Sequence, residues 1–520
     1  REVSKLQAMA KLLNLGLVVL TLISTTVQAA ASDFKSCTVA TLEASPGTLD
    51  VVFALKLPPQ ADDAAHLAEV LEAISTPGRS NYGKWWTRAQ ANALFAPDEA
   101  ARRAVLDFVN TTGGQVIGGD DHDDAAAASG STGTGFVCAR YPLHSVPAAF
   151  GVPTLSCFEH KSRSKSVGAV WRSAQSPRLP SPLDQAVSFV SGITGSFPRV
   201  RPSPAASLES DNRAGPFKVT PEVIRRQYNA GPAALNQSSK QRIAVASFLK
   251  QYFSPEDLAQ FQTQNALPSA PVGQLWGHNN ASLPGIEASL DVQFLFGVAD
   301  RIDSAVYSTP GEQPGNPGSE PFLAWLAFVL SQPVLPSVIS ISYQDYEDTV
   351  NPEYAQRVNA EFARLSLQGI TLVTGSGDWG VGCAADGHTF RADFPSSSPY
   401  VVSTGATTFC TDEAGPQCTL PAPFRYPLAE KGVTFSSGGF SNFFSQPDYQ
   451  QGAVEAFLSK HSNVSRDLFN ASGRAFPDVS ALGVNFQVVY KGDTRGVAGT
   501  SASTPTFAAI VALLNEARLQ

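Results

Sequence analysis

The sequence predicts an α/β fold: a mostly parallel sheet with helices on both faces, preceded by a smaller α+β unit. Three observations predict it. From about residue 218, the β-rich runs RIAVASFL, DSAVYS, SVISISY and GITLVT alternate with helical patterns at Pro255–Gln264, Ile286–Val298, Phe322–Leu330 and Glu353–Leu367. Strands that alternate with helices pair in parallel beneath helical cover. Upstream, VVFALKL (Val51–Leu57) alternates with period two, AAHLAEVLEAIS (Ala64–Ser75) has helical periodicity, and a second helix is expected across Asp98–Val109. Between these regions, SPRLPSPL and RVRPSPAASLESDNRAGP are rich in Pro, Ser and Arg and have little periodicity, which marks a protease-accessible linker.

These signals divide the 520 residues into upstream residues and a signal peptide (1–29), a small domain (30–165), a linker (166–217) and a large domain (218–520). The leader has Lys11, an apolar run from Leu12 to Ile23 and the small-x-small end Val27-Gln28-Ala29. That pattern is a secretory signal, and the run is too short to span a bilayer. A secretory signal, a small domain and a basic linker together have the arrangement of a proenzyme. GGDDHDDAAAASGSTGTG (118–135) reads as a low-complexity loop. The net charge of −8 excludes nucleic acid as the main partner, since phosphate binding needs clustered Lys and Arg. No segment is long enough to imply a membrane partner.

Six cysteines are read in a disulfide-permissive compartment; Cys410 with Cys418 and Cys138 with Cys157 are both possible bridges, and pairing stays open. Sequons at Asn110, Asn236, Asn280, Asn463 and Asn470 agree with a glycosylated, secreted route.

The strongest chemical signal is VAGTSASTPTFAAIVALLNEA, Val497 to Ala517. Ser501 is expected at a loop-to-helix junction, where backbone N–H groups and the positive helix end stabilise developing negative charge. Pro505 is expected in the first turn, where its missing N–H costs little. A serine there can also be a simple helix cap; the longer motif favours a nucleophile, and a nucleophile needs a base. His278, His388 and His461 read as surface residues. GIEASLDVQF, Gly285 to Phe294, supplies an alternative: Glu287 and Asp291 are one helical turn apart and face the same way among core-like neighbours. Burying two acids costs several kcal/mol, at order of magnitude, unless they share a proton or meet donors. In GITLVTGSGDWGVGC (369–383), a strand runs into a Gly-rich loop and Asp378 sits at its carboxyl end, where α/β proteins place sites. An aspartic acid kept protonated can donate a hydrogen bond to an oxyanion; serving the turn itself is its other role.

This set resembles the sedolisin family of serine-carboxyl peptidases, most of all members that release tripeptides. The matching stretches are GIEASLDVQ (285–293), SGDWG (376–380), FPSSSPYV (394–401), SSGGFSNFFSQPDYQ (436–450), NASGRAFPDVSAL (470–482) and GTSASTP (499–505). VTPEVIRRQYN (219–229) resembles the start of a mature enzyme, and STPGRSNYGKWWT (75–87) part of a pro-region, so the resemblance covers about 45 to 520. It implies a subtilisin-like fold behind a ferredoxin-like prodomain that acts as an intramolecular inhibitor. It also implies Ser501 as nucleophile, Glu287 as general base, Asp291 as its orienting partner and Asp378 as oxyanion donor. Asp345, in SISYQDYED, is a candidate for the substrate's ammonium group, although Gln344 and Tyr346 depart from the family pattern. The same resemblance implies Ca2+, held by a segment beyond Gln520 that would also pair with Cys383. No calcium ligand is therefore named, and the chain, read as a fragment, is expected to be poorly stable or inactive as it stands.

The implied activity is an acid-acting peptidase, made as a zymogen, that removes tripeptides from the free N-termini of peptide and protein substrates. A carboxylate base stays partly ionised near pH 4, where a histidine of ordinary pKa (about 6.5) is protonated. The expected destination is the lysosome or vacuole, or the outside of the cell. The alternatives are an endopeptidase of the same family and a non-catalytic relative that binds peptides.

Overall fold

The computed structural model describes residues 34–36, 47–117, 135–160, 170–194, 217–231, 241–309, 311–313, 318–384, 387–410 and 426–519. The expected signal peptide, nearly all of the low-complexity loop, Asn236 and Cys418 lie outside them.

The large unit is built on a sheet whose strands run, from one edge, Gln274–Gly277, Asp303–Thr309, Arg242–Phe248, Val338–Ile341, Thr371–Gly375, Val402–Phe409 and Glu430–Gly432. All neighbours are parallel except the last pair, and Val479–Leu482 adds a further parallel partner to Val402–Phe409. Arg242–Phe248 explains the layering. Its apolar residues are continuous, and alternate side chains enter opposite cores: Ile243 and Val245 on one face, Ala244, Ala246 and Phe248 on the other. The first face is covered by the helices Ile286–Val298 and Thr500–Leu519. The second is covered by Phe322–Ser331 and Pro352–Leu367. The helices match the expected boundaries to within a residue.

Chain order reverses at the central strand. The strands Gln274–Gly277 and Asp303–Thr309 lie on one side of it, and Val338–Ile341 returns on the other. Such a switch point opens a crevice at the carboxyl ends of the two diverging strands. Ser247 and Ser342 stand at those two ends.

The small unit has a four-stranded antiparallel sheet in the order Gln115–Val116, Phe136–Pro142, Thr48–Leu55, Val187–Ser191, with the helix Glu99–Thr111 on one face. That is the ferredoxin-like order. Val187–Ser191 and Val170–Arg172 fall within the stretch expected as linker, 166–217, and are instead strands. Pairing explains the difference: Val190 and Phe189 complete the edge beside Phe53 and Ala54, which local composition does not reveal. Cys138, considered above as a partner for Cys157, is a buried thiol, whereas Cys157 and Cys410 are half-cystines.

The two units share a core. Val52, Phe136 and Cys138 turn away from their own helix and pack with Tyr354, Val358 and Phe362. Ala61, Leu67, Ile74 and Phe95 bury Ala360, Ala363 and Leu367. Arg357 Nη1 donates to Leu55 O at 2.7 Å, Arg364 Nη2 to Asn92 Oδ1 at 2.8 Å, and Trp86 N to Leu367 O at 2.8 Å. Gly135 leaves room for this guanidinium: a Cβ there would lie 1.6 Å from Arg357 Nη2 and would require the side chain to shift.

Candidate active site

The helix Ile286–Val298 is buried on every side from Ala288 onward, so it has no polar face on which to place an acid. Glu287 lies in its first turn, and Asp291, one turn later, is fully buried. The Asp291 carboxyl is pushed well above the usual range, first by burial and then by Glu287, with a hydrogen bond from Ser342 opposing both. Ser342 Oγ donates to Asp291 Oδ1 at 2.6 Å and also reaches Ser501 O at 3.4 Å. One hydroxyl therefore joins the acid helix to the serine helix.

Ser501 is the second residue of the helix Thr500–Leu519 and is only 6% exposed. Pro505 lies beyond the first turn, contrary to the sequence expectation. Its missing N–H would have bonded the carbonyl four residues earlier, which is Ser501 O. That carbonyl is the one Ser342 approaches. Asp378 meets the helix start from the loop after Thr371–Gly375. Thr500 N donates to its Oδ1 at 2.6 Å and Thr500 Oγ1 to the same oxygen at 2.9 Å. Gly499 permits this approach, since a Cβ there would lie 2.9 Å from Asp378 Oδ2. Gly377 (φ +108) holds the turn, in a conformation that favours glycine.

Ser342 thus bridges Asp291 to the first turn of the serine helix, and Asp378 meets the start of that same helix. His278, His388 and His461 are exposed. Asp345, three residues beyond Ser342, is buried in the short strand Asp345–Tyr346, which pairs with Asp393–Phe394. Beside it, Glu347 is fully buried and accepts from Ser441 Oγ and, at 2.7 Å, from Asn442 N. Burial raises its carboxyl to about 7. Ser342 and Glu347 were not singled out from sequence. For Ser342 a signal existed: it is the first polar position after a buried strand, at the carboxyl end where sites form. Among the described residues, no three His, Cys, Asp or Glu side chains converge to hold a metal, so none is assigned to the expected Ca2+. No helix among them is long and apolar enough to cross a membrane.

A parallel sheet with a serine at a buried helix start and an acidic partner helix defines a serine-type peptidase of subtilisin-like architecture. Residues 40–196 match the Pro-kumamolisin activation domain, and residues 277–520 match the Subtilase family. The first match includes the strand Val187–Ser191. The chain is 36% identical to tripeptidyl-peptidase 1 of Canis lupus familiaris over 488 residues, covering 91% of this chain and 79% of that protein. It is also 36% identical to tripeptidyl-peptidase 1 of Homo sapiens over 489 residues, with the same coverage of 91% and 79%. A solved structure of Pseudomonas sedolisin (serine-carboxyl proteinase), complexed with two molecules of pseudo-iodotyrostatin, aligns with TM-score 0.43 and 22% identity over 58% of this chain and 81% of that one. The chain belongs to the sedolisin family of serine-carboxyl peptidases, the family of tripeptidyl-peptidase 1.

Proposed function

We propose that the protein is an acid-acting peptidase, made as a zymogen, that releases tripeptides from free peptide N-termini through an acyl-enzyme on Ser501. One observation carries the reading: Asp291, the buried member of the acid pair, shares a serine hydroxyl, that of Ser342, with the backbone of Ser501. Glu287 takes the Ser501 proton as the oxygen attacks the scissile carbonyl, and Asp291 orients Glu287. Asp378 is assigned the role of a protonated acid that donates to the oxyanion; since Oδ1 accepts twice from Thr500, Oδ2 is the oxygen assigned the proton. The departing amine takes the proton from Glu287. Water then attacks the ester, Glu287 receives its proton, and Ser501 regains one as the peptide acid leaves. Asp345 is proposed to meet the substrate's ammonium group.

The small unit is proposed as a removable prodomain and intramolecular inhibitor; the shared core and the Arg357 and Arg364 contacts support this. Activation would cut the connection after Ser191, within the proposed 166–217 segment, and free residues 218–520. The proposed route is secretory, ending in an acidic lysosome or vacuole or outside the cell. Ser501→Ala and wild type are to be compared at acid pH on a tripeptide with a free N-terminus whose carboxyl is joined to a reporter amine; equal rates would end the catalytic claim. Internal cleavage of an N-terminally blocked peptide would instead favour an endopeptidase.

A further inference from the structure

The helix bearing the acid pair begins without a cap of its own. Its N-cap is Gly285 (φ −103, ψ 147), which has no side chain to accept from the first-turn amides. The acceptor arrives from another element. Gln251 Oε1 accepts from Glu287 N at 3.3 Å. The carboxamide fills the place of a side chain at Gly285, where a Cβ would lie 1.9 Å from Oε1 and 2.5 Å from Cδ.

The turn that delivers Gln251 is unusual. It leaves the carboxyl end of the central strand Arg242–Phe248 at the switch point, and Leu249 and Lys250 take φ +54 and +60. Two consecutive non-glycine residues in the left-handed region carry strain, a cost that surrounding structure must offset. Here Gln251 N donates to Phe248 O at 2.9 Å, Ser247 Oγ to Gln251 O at 2.7 Å, and Gly285 N to Tyr252 O at 2.8 Å. The strand end, the strained turn and the helix start are thereby locked together.

We propose that Gln251 is a positioning residue: its neutral carboxamide caps the acid helix and aims Glu287 at Ser501 without placing a third negative charge beside the pair. This rests on the proposed role of Glu287 as base. An aspartate would satisfy the helix start and its dipole equally well. It would also hold protons on the neighbouring acids, because like charges disfavour ionisation. Glutamine supplies the acceptor alone. Three of the groups around the pair are neutral: Ser342 and Ser501 carry hydroxyls, and burial with the two acids raises the Tyr343 hydroxyl well above its ordinary range. Lys250 is exposed in the turn.

The test uses the acid-activated full chain and follows kcat and KM on a tripeptide with a free N-terminus, joined through its carboxyl to a reporter amine, across about pH 3 to 7. Gln251→Ala is expected to lower kcat about 10- to 100-fold, with KM changed less than about twofold. Gln251→Glu, whose protonated form keeps an acceptor, is expected to approach the wild-type plateau while its acid limb moves up by about one pH unit. Gly285→Ala should lose rate as Gln251→Ala does, because its methyl displaces the carboxamide, and the double variant should be no worse than the poorer single. Wild-type profiles for both Gln251 variants, or single losses that multiply in the double variant, would overturn the proposal. Ser501→Ala in the same assay separates the two readings. If it is inactive while the Gln251 variants behave as wild type, only the role of Gln251 fails; if it is active, the serine mechanism fails.

Discussion

Replacing Ser342 by alanine removes a single hydroxyl that lies between Asp291 and the Ser501 carbonyl. Ser342 and Asp291 are both buried, and their 2.6 Å hydrogen bond is the one influence on Asp291 that favours its ionised form. A hydrogen bond to a charged group is worth about 1.5–3 kcal/mol, and one pKa unit corresponds to about 1.4 kcal/mol. Losing it should raise the proton affinity of the Asp291–Glu287 pair by about one to two units. The base is active when ionised, so the acid limb of kcat/KM moves to higher pH by that amount. Rates on the limb fall about 10- to 100-fold, and the plateau above it recovers. The assay is kcat/KM against pH on a peptide with a free N-terminus. A limb that stays in place while rates fall equally at every pH would refute the reasoning, because Ser342 would then act only by packing against the serine helix.

Three further outcomes follow from the same contacts. Glu347, held near 7 against an ordinary 4.5, binds a proton more tightly folded than unfolded, so its stabilisation is complete below about pH 4.5 and lost as pH rises through 7. Thermal midpoints should therefore fall over that interval, by up to about 3 kcal/mol in stability at order of magnitude, and Glu347→Gln, which does not titrate, should flatten the slope. Asp378→Ala should cost about 10²–10³ in kcat, whereas Asp378→Asn, which can keep its oxygen on Thr500 and present an amide at the Oδ2 position, should lose less and show no alkaline limb from this group. Phe95→Ala should lower the denaturation free energy of the zymogen by about 3–5 kcal/mol, since the ring is fully buried between the two units beneath the Arg364 guanidinium, 5.5 Å from the ring centroid.

Much of this was legible along the chain because it is periodic or local. The helix Ile286–Val298 announces itself by an apolar run after a glycine, and the spacing of Glu287 and Asp291 on one face follows from 3.6 residues per turn. Thr500-Ser501 before a small-residue helix, and Asp378 after a strand, are likewise short-range patterns. The contacts that make these residues a site span much longer separations. Ser342 meets Asp291 from 51 residues away and Ser501 from 159, and Gln251 meets Glu287 from 36. Glu347 reaches Ser441 across 94. Val187–Ser191 looked like linker because its reason for being a strand is the edge of Thr48–Leu55, more than a hundred residues earlier.

By itself, then, the amino-acid order determined the elements, the alternation that makes the sheet parallel, and which acids and which serine were available to react. Folding decided which of them share a proton-bearing neighbourhood, which glycine admits a foreign carboxamide, and that the small unit shares a core with the large one. The physical reason is range. Backbone propensity and side-chain periodicity act within a turn or two, whereas desolvation and hydrogen bonding depend on whatever the crossing of distant strands brings within about 3 Å.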